Sequence, residues 1–298
     1  MRLFCSNLIT FIGMKRIIVP IDFSDESVYG LKLAIMFGNK YGCTIEMVHV
    51  LRPLVEQHSP SRGDEVKKQI EQKLQDLANI YTPQLQNGAQ ISYIVKRGKV
   101  FQEVVNQAKA FDDAVIVCST HGASGFEEFF IGSNAFRILT ASTCPVITIR
   151  HGAMHGDLKR IVLPIDITAD SRQKVPMSIE MAKTFDAEIH ILGVASSQAE
   201  DIDHRIKQYV QQVADELSKH GIRHCIEHRR GGNVADLTIK YMEEVNADMV
   251  AIMSEQGMSI ADFVLGSYAQ QMFSKSPVPV FCVTPRELSL TGSFRTQG

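Results

Sequence analysis

The residues best suited to hold an anionic ligand lie in two separated segments, and the chain carries both segments twice. Asp22 closes the run Lys15-Arg16-Ile17-Ile18-Val19-Pro20-Ile21-Asp22. The run returns as Lys159-Arg160-Ile161-Val162-Leu163-Pro164-Ile165-Asp166 and stays in register without a gap to Val50 and Val194. The second segment, Ser119-Thr120-His121-Gly122, leads over nine residues to Gly132-Ser133 and then to Cys144-Pro145-Val146. It is echoed by Ser254-Glu255-Gln256-Gly257, Gly266-Ser267 and Val278-Pro279-Val280. Gly122, Gly125 and Gly132 would let backbone amides come close to a ligand. A helix beginning there, with Ser133 or Asn134 as its cap, would turn unsatisfied N–H groups and the positive end of its dipole toward phosphate. The same residues have plainer uses. Glycines between a strand and a helix more often shape a turn, the pattern is neither GxGxxG nor a P-loop, and Asp22 equally suits the N-terminal cap of a helix after Phe23-Ser24.

Such residues need a scaffold, and the apolar period supplies it. Residues 17–21 are a continuous β-branched run, 28–37 have helical spacing, 45–50 read as strand and 66–80 as a long helix. Segments 91–95, 100–110, 114–118, 133–140 and 146–149 continue the alternation, giving βαβαβαβαβ. The second half repeats it with strands near 161–165, 189–194, 222–227, 248–253 and 279–283. Near-continuous apolar strands separated by helices predict an α/β fold of two tandem domains, each an open, Rossmann-like parallel sheet of five strands with helices on both faces. The expected division is a leader over 1–13, a first domain over 14–150, a Gly-rich linker over 151–157, a second domain over 158–285 and a tail over 286–298. In such sheets ligands bind beyond the carboxyl ends of the strands, where the strand order reverses. Asp22, His49-Val50 and Ser119 to Gly122 all follow strands at that end. The short apolar last strands, 146–149 and 280–283, lie at the expected sheet edges and predict an intramolecular pseudo-dimer, with a homodimer of chains as a further step.

The 298 residues, 45% of them hydrophobic, suffice for two cores, and a net charge of -2 with scattered Lys and Arg argues against nucleic-acid or anionic-membrane binding. Six cysteines without a CxxC pair suit a reducing cytoplasm. Residues 8–12 are apolar but too short to span a membrane, and Met14 directly precedes the repeat unit. Deleting the leader should therefore leave fold and binding unchanged. His220, His224 and His228 with Cys225 lack a matching carboxylate or CxxC and read as scattered polar positions rather than metal ligands. Cys118 ends an apolar run and reads as a packing residue. No Ser-His-Asp set or carboxylate pair can be assigned, so no catalytic residue is expected.

The order Val19-Pro20-Ile21-Asp22, His49-Val50, Ser119-Thr120-His121-Gly122, Gly132-Ser133 and Cys144-Pro145-Val146 resembles the universal stress protein family in its ATP-binding branch. The likeness covers 14–150 closely and 158–285 more loosely, as in a tandem member. It implies an adenine nucleotide alpha hydrolase-like fold and an ATP-binding regulator of the stress response, with AMP or ADP as alternatives and Mg²⁺ as a companion ion. Carried over, Pro20, Ile21 and Asp22 would border adenine and ribose, with Val50 against the base. Cys118, Ser119, His121 and Gly122 would line ribose and phosphates, and Gly132, Ser133 and Asn134 would supply donors. Ser119 stands where the family has its first glycine. The resemblance allows slow ATP hydrolysis at most and leaves the protein partner unnamed.

In the second half Asp166, Val194, Gly257, Gly266 and Ser267 keep the skeleton, while Ser254 again stands for the first glycine. Gln256 replaces the histidine, the gap to Gly266 is eight residues, and Glu255 and Asp262 add charge. Two like charges ~4 Å apart repel by about 4 kcal/mol near a surface, so this half reads as a degenerate or differently selective site. Two other classes stay open: a nucleotide-free scaffold, and an adenylating or pyrophosphate-releasing hydrolase. The latter is opposed by Asp25 and Glu26, which stand where such enzymes place a phosphate loop.

Overall fold

The computed structural model describes residues 13–52, 60–120, 131–150, 152–153, 156–168, 170–254 and 266–285. The expectations for the leader and the tail fall almost wholly outside them. Five strands come from the first half: β1 (Arg16–Pro20), β2 (Thr44–Leu51), β3 (Gln90–Arg97), β4 (Ala114–Ser119) and β5 (Val146–Ile149). Their helices are α1 (Asp25–Tyr41), α2 (Pro60–Tyr81), α3 (Val100–Lys109) and α4 (Ser133–Ala141). The second half answers with β6 (Arg160–Ile165), β7 (Glu188–Ala195), β8 (His224–Arg230), β9 (Met249–Met253) and β10 (Val280–Val283). Its helices are α5 (Val175–Phe185), α6 (Glu200–Lys219), α7 (Val234–Glu244) and α8 (Ser267–Lys275).

All ten strands form one sheet in the order β3-β2-β1-β4-β5-β10-β9-β6-β7-β8. Within each half the pairing is parallel, as the buried apolar runs require. The halves join through one antiparallel pair, β5 with β10, centred on Phe281↔Ile147. The expected pairing of the last strands is thus present, and it makes one mixed ten-stranded sheet rather than two separate ones.

Strand alternation sends side chains to two cores. One face carries Ile17, Val19, Ile45, Met47, Val115 and Ile147 with Leu31, Phe37 and Leu74 of α1 and α2, and it runs on into Ile161, Ile189 and Phe185 of the second half. The other carries Ile18, Val48, Val50, Ile116 and Cys118 under α3 and α4, and continues into Val162, Leu192 and Val250. On the first face α1 meets α5, with the Phe37 and Phe185 rings edge to face at 5.1 Å and Tyr41 6.2 Å from Phe185. Burial raises the Tyr41 phenol to about 12.

Candidate functional site

In each half the strand order reverses between the first and fourth strands, and the ladders open there. β1 pairs with β2 as far as Pro20↔Val48 but with β4 only as far as Ile18↔Ile116. Pro20 has no N–H with which to prolong that ladder. β6 does the same, reaching Ile165↔Gly193 beside β7 and only Val162↔Val250 beside β9.

At the end of β1, Asp22 Oδ1 accepts from Ser24 N at 3.0 Å and from Ser24 Oγ at 2.5 Å. Ser24 caps α1, its Oγ accepting from Ser27 N at 3.2 Å. The cap is therefore Ser24, and Asp22 buttresses it rather than capping the helix itself. A β-region residue before the first turn presents its hydroxyl to the free amides, and Ser24 has φ −72° and ψ 158°. The second half repeats the device, Asp166 Oδ1 accepting from Thr168 N at 2.7 Å and Thr168 Oγ1 at 2.6 Å. Ser24-x-x-Ser27 and Thr168-x-x-Ser171 were the signals for it.

His49, at the end of β2, was passed over in favour of Val50. Its Nδ1 donates to the Ile21 carbonyl at 2.8 Å, and its ring lies 5.1 Å from that of Phe23, tying the two strand ends together. Burial holds its pKa below the ordinary value, against that hydrogen bond. Phe23 has φ 65°, a left-handed backbone uncommon for an aromatic residue. The counterpart of His49 is Gly193, and a Cβ there would lie 2.5 Å from His228 Nδ1. The imidazole has thus moved across to β8.

Val50 and Cys118 are buried on the α3 and α4 face, and burial raises the Cys118 thiol to about 12. Cys118 is a packing group there. Ser119 ends β4, and a Cβ on Gly30 of α1 would come within 3.4 Å of its amide, so α1 approaches this strand end closely. Gly132 N donates to Thr120 O at 2.7 Å, bringing the start of α4 back to the end of β4. Gly132, with φ −55° and ψ 142°, is the N-cap, so Ser133 and Asn134 are the first helical residues and neither caps. Gly266 and Ser267 stand likewise at α8, with φ −58° and ψ 153° at Gly266 and no side-chain cap. Among the described residues no side chain caps the first-turn amides of either helix. His121, Gly122, Gly125, Glu255, Gln256, Gly257 and Asp262 lie outside the described residues.

The second half encloses a crevice of about 380 Å³ lined by Asp166, Thr168, Val194, Asn233, Ser267 and Tyr268 among others. Three residues proposed from separate motifs, Asp166, Val194 and Ser267, thus meet at one cavity; Gly266 adjoins it, and Ser254 is buried at the end of β9, its amide donating to Val283 O at 2.9 Å. Lys174 occupies the position of Gly30 and is 2% exposed, its Nζ donating to Ser171 O. Burial lowers its pKa to about 8, although Asp166 and Cys282 draw it upward.

A family model described as the universal stress protein family matches residues 13–150 and again 157–284. The chain belongs to the universal stress protein family. Universal stress protein YxiE of Bacillus subtilis is 28% identical over 146 residues, 46% of this chain and 99% of that protein. A universal stress protein of Methanocaldococcus jannaschii is 24% identical over 139 residues, 46% of this chain and 82% of its own length. A universal stress protein structure from Archaeoglobus fulgidus shares the fold over 91% of this chain and 98% of its own, with a TM-score of 0.74 and 21% identity. The universal stress chain here is a tandem of two family units. Among the described residues no helix is long and apolar enough to cross a membrane.

Proposed function

We propose that this universal stress protein binds an adenine nucleotide, ATP first, at the opened ends of β1 and β4 in the first half, and acts as a regulator rather than a committed enzyme. The observation that carries the reading is the crevice of the second half, where the residues equivalent to Asp22, Val50 and Ser133 line one cavity. The repeated register gives the first half the same frame. The second-half crevice, at about 380 Å³, falls in the range of small-molecule sites. An apolar wall at Val50, a carboxylate for ribose hydroxyls at Asp22 and uncapped amides at Ser133 and Asn134 for phosphate make a set suited to a nucleotide. Asp22 already accepts from Ser24, so the phosphates would supply most ligands of any accompanying magnesium ion.

The first half is the preferred site. It keeps the nine-residue spacing, His121 and Gly125, whereas the second adds Glu255 and Asp262. Mass spectrometry of nucleotide released from the purified protein, followed by calorimetric titration with ATP, tests the reading. One ATP per chain is expected; absence of binding by ATP, ADP and AMP would leave the nucleotide-free scaffold.

A further inference from the structure

We propose that Glu188, His190 and Cys225 form a zinc-binding site in the second half, under α7 and away from the nucleotide crevice. Parallel pairing of β7 and β8 sets His190 beside Cys225, with Sγ 3.2 Å from Nδ1. Glu188 precedes His190 by two residues and shares its face of the sheet. One imidazole nitrogen, the sulfur and one carboxylate oxygen all lie within 4.8 Å of one another. Tyr241 of α7 covers them, its hydroxyl 3.1 Å from His190 Nδ1 and 3.9 Å from Cys225 Sγ. His190 is 8% exposed, yet its Nε2 is buried without a hydrogen-bond partner. The nitrogen that faces Cys225 and Tyr241, and would ligate, is Nδ1; Nε2 is the other ring nitrogen.

The first half serves as an internal comparison. Thr44, Glu46, Ser92 and Gln107 hold the places of Glu188, His190, Cys225 and Tyr241. There Glu46 accepts from Gln107 Nε2 at 2.7 Å and from Arg16 at 3.4 Å, with neither sulfur nor imidazole. Arg160, the equivalent of Arg16, turns instead to Asp248, 4.0 Å away, and Arg229 beside the cluster is held by Glu227 and Glu244 at 3.0 and 2.8 Å. Neighbouring positive charge is thereby balanced. Imidazole nitrogen, thiolate and carboxylate together suit zinc, whose tetrahedral shell would keep a fourth place for water or the Tyr241 phenol. On binding, the Cys225 thiol gives its proton to solvent as the S–Zn bond forms, so affinity falls as pH falls. Cys225 finds its partner thirty-five residues away on another strand, not in the nearby His220, His224 and His228.

The test uses the full chain, reduced and stripped of metal by a chelator. Cobalt(II) should bind at one per chain with a thiolate-to-cobalt charge-transfer band, and zinc should abolish the band by displacement. Cys225→Ser should remove the band and weaken zinc, measured by dye competition, about 100-fold or more, beyond what losing an outer-sphere partner does. Glu188→Gln, on a half-buried side chain, should weaken it about tenfold. A wild-type chain without the band, or a band that survives Cys225→Ser, overturns the site. Should circular dichroism show Cys225→Ser misfolded, Glu188→Gln decides, and unchanged zinc affinity there overturns it too.

Discussion

Lys174 stands where the other copy has Gly30, and the exchange changes what a helix start can do. Gly30 lets α1 approach the Ser119 amide, whereas Lys174 fills its place with a buried ammonium bonded to the Ser171 carbonyl. Burial lowers the amine from 10.5 to about 8. Below about pH 8 both folded and unfolded chains hold this proton, so the folded state bears the full cost of a buried charge. Between about 8 and 10.5 the folded chain releases it first, the unfolded state binds more protons, and stability rises with pH. The shift corresponds to about 3 kcal/mol as an upper bound. Lys174→Met should stabilise the protein at pH 7 by about 1–2 kcal/mol, since it also forfeits the bond to Ser171. Urea unfolding at pH 7 and pH 10 checks this. The advantage of the variant should shrink at the higher pH, and a constant gap would contradict the assignment. The raised thiol of Cys282, to about 12, acts with the opposite sign, but in both chains.

Helix starts are the elements on which the nucleotide reading rests. α1 begins at Asp25 behind Ser24, while its counterpart α5 begins only at Val175 after a 3₁₀ turn at Asp170–Arg172. Pro176 explains the delay: it has no N–H to give to Arg172, and its ring would clash with that carbonyl in a continuous helix. Gly132 and Gly266 are N-caps with extended backbones, a conformation in which aspartate is among the best caps. Gly132→Asp should therefore fold, with stability unchanged or raised by a few tenths of a kcal/mol. Its own carboxylate would occupy the amides offered to phosphate. Calorimetry should show ATP binding reduced at least about 100-fold by Gly132→Asp, as for repulsion of several kcal/mol, and little changed by Gly266→Asp. Equal losses would mean two working sites, and loss from Gly266→Asp alone would reverse the preference.

At the scale of the molecule, the β5–β10 pair and the α1–α5 contact make one body of the two repeats. Ile147 and Phe281 are fully buried at that seam, and Tyr41 and Phe185 are equivalent residues meeting across it. Lys40 and Lys159 share Asp157 at 3.4 and 3.3 Å, an exposed pairing that adds little. Residues 14–150 alone would expose the edge of β5 together with Phe37 and Tyr41. An unpaired apolar edge recruits another strand. This fragment should therefore dimerise in analytical ultracentrifugation, and a stable monomer without new apolar surface would refute the idea.

How much was legible beforehand follows from the range of the interactions involved. The strands and most helices were readable because period-2 and period-3.6 burial are local properties, and each strand departs from expectation by no more than three residues at an end. Duplication was readable because two copies of one pattern need no contact to be seen. Caps were missed by a residue or two: Ser24 rather than Asp22, and Gly132 rather than Ser133, because the backbone angles at a boundary decide which side chain reaches the amides. The transfer of an imidazole from His49 to His228 and the meeting of His190, Cys225 and Tyr241 were hidden for a different reason. They depend on the register of β7 with β8 and on how α7 lies over both. By itself, therefore, the sequence determined the elements, their order and the twofold repetition, all set by short-range pattern. Only the tertiary structure decided which buried polar groups became neighbours, because those contacts join residues far apart in the chain.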